Sequence, residues 1–211
     1  MDVRLLVVGA SGRTGRLFTQ RALDHGHTVS AFVRHTSRFD ASHERLHVIR
    51  GDVLAPDTLS PAVVGQDAVV SILAPRPRRS GRVYVEGTRN LTDAVCAADV
   101  RRLLVVSAEG AGVSADALPF AYRIVLRIPV VARLYPRLVQ MEDELMAHAD
   151  LDWTIVRAAV LTNGRPTGEY RAVVGDVVPG GLRISRADLA EFLLAVVETG
   201  AYIRQRVALA Y

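Results

Sequence analysis

The sequence predicts an α/β fold: a doubly wound parallel sheet in a single domain over residues 1–211, with a small substrate lobe after the sixth strand. Three observations predict it. A glycine turn, Gly9-Ala10-Ser11-Gly12-Arg13-Thr14-Gly15, joins an apolar β-branched run to a helical pattern. Strand-like and helix-like segments then alternate to the end of the chain. The strand-like runs are apolar on both faces, as a sheet covered by helices on both sides requires.

Each element has its own signal. Residues 3–8 form strand one, and Leu17, Phe18, Arg21, Ala22 and Leu23 recur at helical spacing in a helix over about 13–25. Residues 27–34 and 46–50 are strands two and three. Pro56 opens a short helix that Gly65 ends, and strand four covers 68–73, apolar apart from Ser71. A loop rich in Pro and Arg (74–82) leads to a helix over about 83–98, followed by strand five at 103–106. The segment 108–135 holds a loop and an amphipathic helix, and a second helix is expected over about 136–149, before strand six at 153–157. Residues 169–174 read as an extended edge segment. Ser185 and Asp188 have capping-box spacing and start a last helix through about Val197, and 206–210 is a final strand. The expected strand order is 3-2-1-4-5-6, with a seventh possible.

Composition narrows the function. Half of the residues are hydrophobic, which excludes disorder. The apolar stretch 118–135 is interrupted by Arg123, Arg127, Pro129 and Arg133, so no membrane span is expected. Only six strand-like residues precede the glycines, which leaves no room for a signal peptide, and the single Cys96 can form no internal disulfide. A cytoplasmic protein is the expectation. All 26 basic residues are arginine, so a Schiff-base lysine, a Walker lysine and a Tyr-x-x-x-Lys pair are impossible. The net charge of +4 comes from arginines spread along the chain, with no nucleic-acid-binding motif, and neither nucleic acid nor a metal is an expected ligand.

The glycine turn is an anion site, where backbone N–H groups and the positive end of the helix dipole meet a diphosphate. Gly9, Ser11, Gly12, Arg13, Thr14 and Gly15 are its candidate residues. About 20 residues on, the place where an acid would bond the ribose of NAD holds Arg34 instead. Arginine pairs with a 2′-phosphate, so NADP(H) is the expected cofactor, with Arg13 and Arg38 completing the clamp or Arg38 lying solvated. Asp52 either accepts from the adenine amino group or caps the next helix, while Val53 packs on the ring. Leu73, Ala74 and Pro75 end strand four, where small residues let the ribose lie close. Ser107 ends strand five, where its hydroxyl either orients a substrate carbonyl or caps the following turn.

GASGRTG, VRHTSR (33–38), GDV (51–53), EGTRNL (86–91), VVSA (105–108), LDWTIVRAA (151–159) and ISRADLA (184–190) together resemble the atypical short-chain dehydrogenase/reductases. Within these the chain is similar to the NAD(P)H-binding group of flavin reductase/biliverdin reductase B and NmrA-like proteins. The resemblance implies a Rossmann fold that binds NADP, with Ala108, Ala158 and Val160 joining Ser107 around the cofactor. In reductase members it implies hydride transfer to a flat conjugated acceptor. The strand-five serine of these families matches Ser107. The lysine common in atypical members falls near Val139 or Gln140, and the histidine of biliverdin reductase B at Val160.

The expected function is NADPH-dependent reduction of a small aromatic or conjugated substrate such as a flavin, quinone, tetrapyrrole or enone. Ser107 and Tyr122, with Glu109, are the groups expected at the substrate. A non-catalytic NADP-binding sensor and a biosynthetic isomerase or cyclase are the alternatives. A monomer or weak homodimer is expected.

Overall fold

A computed structural model of the chain describes residues 2–74, 80–113, 124 and 127–211. Its strands are β1 (Arg4–Val8), β2 (Thr28–Val33), β3 (Leu46–Arg50), β4 (Ala68–Ser71), β5 (Arg102–Ala108), β6 (Asp152–Ala158), β7 (Val160–Thr162), β8 (Arg171–Val174), β9 (Arg183–Ser185) and β10 (Gln205–Ala210). The α-helices are α1 (Arg13–Asp24), α2 (Pro56–Val63), α3 (Ser80–Ala97), α4 (Pro129–Met146) and α5 (Arg186–Thr199). Eight strands form one sheet in the order β3-β2-β1-β4-β5-β6-β10-β8. The first seven run parallel, and β8 closes the edge antiparallel to β10. The predicted order therefore extends by β10, and the extended segment at 169–174 becomes β8. This is a doubly wound Rossmann sheet, and β7 and β9 pair in parallel above it.

The core lies on both faces of the sheet, as the apolar strands require. On one face Leu5, Val7, Val29, Leu104 and Val156 pack with Phe18 and Leu193 from α1 and α5. On the other, Leu6, Val69, Leu103 and Ile155 pack with Leu59, Leu91, Leu138 and Met141 from α2, α3 and α4. Successive residues of each strand serve opposite faces, so one strand ties both layers together.

The predicted start of the second helix near 136 differs from the structure. The expected break at Pro136 is absent: α4 runs unbroken from Pro129 to Met146 with Pro136 inside it. Pro129 occupies the first turn, where a missing N–H costs nothing, and the buried stripe Leu138, Met141, Glu142 and Leu145 holds the helix against the sheet beyond the second proline. Most of the segment 118–128, including Tyr122, lies outside the described residues.

The capping box is half formed. Ser185 Oγ accepts from the Asp188 N–H at 2.9 Å, but the Asp188 carboxylate does not return to the Ser185 N–H, which donates to the Tyr211 hydroxyl at 3.1 Å. Asp188 is one carbon shorter than the glutamate that completes such a box. It accepts instead from the N–H groups of Thr167 and Gly168 at 2.8 and 2.9 Å, and from the Tyr211 hydroxyl at 2.5 Å. Burial opposes its charge, but these hydrogen bonds prevail and hold its carboxyl below the usual range. Asp188 thereby ties the 163–168 loop to the start of α5.

Candidate functional site

The turn after β1 is built by close approach. Gly9 adopts φ +91°, and a Cβ there would lie 2.4 Å from the Ile72 carbonyl oxygen. A Cβ at Gly15 would lie 2.2 Å from the Gly9 carbonyl oxygen, so α1 starts directly against the turn. Gly12 is the N-cap residue and makes no side-chain cap, and the first turn carries no acid. The amides of Arg13, Thr14 and Gly15 therefore have no intrahelical acceptor and remain available to an anion.

An open cleft of about 670 Å³, mouth included, lies at the carboxyl ends of β1, β2 and β4. Gly9, Ser11, Gly12, Arg34, Asp52, Val53, Leu73 and Ala74 line it, with Val8, Phe32, Val33, Gly51, Ile72 and Val83. The structure thus brings together eight of the residues expected from sequence. Arg34 is exposed at the end of β2, and Arg13 is exposed at the start of α1. Thr14 and Gly15 are buried. The Arg38 side chain and Pro75 lie outside the described residues.

The residues present fit a dinucleotide. The uncapped helix end suits a diphosphate, and the apolar floor of Val8, Phe32 and Val53 suits a flat ring. Arg186, the first residue of α5, donates to Asn163 Oδ1 at 2.7 Å, and burial together with the nearby charge of Arg13 lowers its pKa. Two guanidinium groups that repel each other beside an uncapped helix end favour an anion between them.

Asp52 is partly committed already, since its Oδ1 accepts from the Leu54 N–H at 3.1 Å. Val53 is buried under α3, where Gly87 leaves room for it: a Cβ at Gly87 would lie 2.7 Å from Val53 Cγ2. Asn90 Nδ2 donates to the Val53 carbonyl oxygen at 2.9 Å. The EGTRNL motif thus shapes the Val53 end of the cleft through α3. Tyr84, from the same helix, donates to the Leu73 carbonyl oxygen at 3.2 Å, and burial pushes its phenol up to about 12.

Beyond the cleft, along the β5–β6 edge, lie Ser107, Ala108, Ala158 and Val160. Ser107 and Ala158 are buried, and Val160 is exposed. Ser107 Oγ donates to Glu142 Oε1 at 2.5 Å. Arg157 Nε donates to both Glu142 oxygens at 3.2 and 3.0 Å, and its Nη1 reaches Asp176 Oδ1 at 2.5 Å. Arg157 and Glu142 are 2% and 1% exposed in their side chains, so this is a buried ion pair. It links β5, β6, α4 and the loop after β8. The hydroxyl proton of Ser107 is committed to Glu142, which leaves its lone pairs to meet a ligand.

Sequence reasoning missed Glu142, Arg157 and Asp176, although two of them carried a signal. Arg157 follows the apolar pair Ile155-Val156 in a strand buried on both faces. Glu142 stands on the apolar stripe of α4, between Met141 and Leu145. A buried charge of each sign in adjacent elements implies a pair. Asp176 sits in a loop with no pattern to reveal it.

Glu109 follows β5 directly and is 1% exposed. Its Oε1 accepts from the Val178 N–H at 2.7 Å, and the Tyr135 hydroxyl donates to its carbonyl oxygen at 2.9 Å. Its Oε2 is buried with no hydrogen-bond partner among the described residues. Burial pushes its carboxyl up to about 7, against the opposing pull of the Val178 N–H and Arg171.

Residues 9–199 match the protein family described as NAD(P)H-binding. The chain belongs to that family. It is 28% identical, over 96% of its length, to the photosystem II assembly factor Ycf39 of Synechocystis, and spans 61% of that relative's own length. A chloroplastic Arabidopsis thaliana protein is also 28% identical over 89% of the chain, which spans 69% of it. Among solved structures, a Burkholderia pseudomallei protein superposes with TM-score 0.79 and 27% identity, covering 99% of this chain and 100% of that one. A wide-type short-chain dehydrogenase/reductase of Veillonella parvula, solved with NADP, superposes with TM-score 0.84 at 19% identity, covering 100% and 95%. The fold of this family member is thus shared with NAD(P)-binding oxidoreductases. No helix among its described residues is long and apolar enough to cross a membrane.

Proposed function

We propose that this NAD(P)H-binding protein is an NADPH-dependent reductase of small, flat, conjugated acceptors. The observation that carries the reading is Arg34 at the end of β2, lining the cleft where an acid would select NAD. Arg34 binds the 2′-phosphate, with Arg13 and Arg38 as further contacts. The amides of Arg13, Thr14 and Gly15 hold the diphosphate. Asp52 and Val53 receive the adenine, and Leu73 and Ala74 pass beneath the ribose. Ser107, Ala108, Ala158 and Val160 border the nicotinamide end, and Ser107 accepts a hydrogen bond there because Glu142 holds its proton. When bound, the reduced cofactor supplies a hydride; the protein's part is to align it, exclude water and provide the proton. Superposition on a putative NADH-flavin reductase of Streptococcus pneumoniae and an anaerobilin reductase of Escherichia coli supports this reading at the level of fold.

The similarity to an assembly factor favours a second reading, in which NADP binding governs association with a partner protein and no acceptor is turned over. Purified protein mixed with NADPH and a panel of flavin, quinone, tetrapyrrole and conjugated ketones separates the two. Oxidation of NADPH with any acceptor supports the reductase; tight NADPH binding with none supports the second reading. Arg34→Asp should weaken NADPH binding about tenfold to a hundredfold, the loss of one charge-assisted hydrogen bond, while sparing NADH. Equal losses for both cofactors would overturn the role of Arg34.

A further inference from the structure

We propose that Arg186, the first residue of α5, is a ligand of the dinucleotide's diphosphate alongside the amides at the start of α1. This rests on the dinucleotide seat at the glycine turn and not on the reductase reading.

Topology brings Arg186 to that seat. Helices of a doubly wound sheet run antiparallel to its strands, so α1 and α5 both begin at the carboxyl edge, where ligands bind. The cleft reaches the start of α1, since Gly9, Ser11 and Gly12 line it. The two helices pack on each other: Phe18 and Ala22 of α1 share one buried cluster with Leu189 and Leu193 of α5. Arg21 Nε and Glu191 Oε1 bridge them at 3.0 Å and fix their relative height. Arg13 lies eight residues before Arg21, and Arg186 five before Glu191. At about 1.5 Å per residue, Arg13 and Arg186 then stand within about 5 Å of one level. Packed helices are about 8–10 Å apart, a gap that an arginine side chain crosses.

The charge at this place is uncompensated. Along α1, Arg16 pairs with Asp40 at 2.6 Å and Arg21 with Glu191, whereas Arg13 has no carboxylate partner among the described residues. Arg186 has none there either: its Nη1 donates to a neutral oxygen, Asn163 Oδ1, at 2.7 Å. The acid in the first turn of α5, Asp188, is turned to Ser185, Tyr211, Thr167 and Gly168. Burial and the charge of Arg13 both lower the pKa of Arg186, as two cations brought together would. Holding them at the positive end of the α1 dipole costs free energy unless an anion joins them. With Nη1 engaged, Nε and Nη2 of Arg186 remain, the edge of a guanidinium that meets two phosphate oxygens side by side.

Equilibrium titration of the whole protein with three ligands tests this: NADPH, NADH, and adenosine 2′-monophosphate, which carries the 2′-phosphate without the diphosphate. Arg186→Gln should weaken NADPH and NADH by the same factor, about tenfold to a hundredfold, the worth of a charge-assisted hydrogen bond, and leave the monophosphate unchanged. Arg186→Lys, which keeps the charge but not the fork, should recover part of the loss. Arg34→Asp should give the complementary pattern, weakening NADPH and the monophosphate and sparing NADH. Unchanged affinity of Arg186→Gln for both dinucleotides overturns the proposal. A loss confined to NADPH also overturns it, because Arg186 would then belong to the 2′-phosphate, as does an equal loss for all three ligands, which would mark a distorted turn. The expected losses in a protein that reduces no acceptor uphold the proposal and overturn the reductase reading alone.

Discussion

A carboxyl that keeps its proton to about pH 7 when folded, against an ordinary value of 4.5, makes Glu109 a cost to the folded state whenever it ionises. The folded protein gains full benefit from the neutral acid below about pH 4.5, and loses it as pH rises through 7. The difference corresponds to about 3 kcal/mol at alkaline pH. Glu109→Gln should therefore be more stable than the wild type at pH 8 and nearly equal to it at pH 4, as urea denaturation at the two values would show. Gly15 makes the opposite case. Its Cβ would meet the Gly9 carbonyl oxygen at 2.2 Å, so Gly15→Ala must push α1 off the turn. Loss of NADPH binding together with a lowered melting temperature is the expected result, read by fluorescence titration and calorimetry.

At the scale of elements, the Arg157–Glu142 pair decides how α4 sits on the sheet. Removing one partner leaves the other charge buried and unpaired. Arg157→Leu should thus cost about 3–5 kcal/mol, and the double variant with Glu142→Gln should recover most of it. Denaturant midpoints of the wild type and these two variants would check this. The pair also shows what could be read in advance. The strand positions, the glycine turn and the start of α5 were legible because local chemistry sets them: apolar runs, uncapped glycines, a serine N-cap. The limits of α4 were not, because Pro136 is a helix breaker by propensity, and only packing of Leu138, Met141 and Leu145 carries the helix through it.

For the whole molecule, the fold places three regions in a row on one edge of the sheet. The β2 end holds Arg34, the β1 end holds the glycine turn, and the β5–β6 ends hold Ser107 and Glu109. Under the proposed function, a dinucleotide spans them with the acceptor at one end. Binding to the native state alone should stabilise the protein by about 2.7 kcal/mol when NADPH is present at a hundred times its Kd. NADH at the same concentration should give a smaller rise in melting temperature, and equal rises would contradict the NADP assignment.

The sequence by itself determined the sheet order of the first six strands, the uncapped glycine turn at the start of α1, and the arginine at the end of β2. These depend on residues near one another in the chain, where periodicity and turn chemistry act directly. Only the tertiary structure decided the state of Ser107 and Glu109. The proton of Ser107 goes to Glu142, 35 positions away, and Val178 binds Glu109 across 69. Burial and hydrogen bonding set the chemistry of a polar side chain, and both are supplied by residues that only folding brings together.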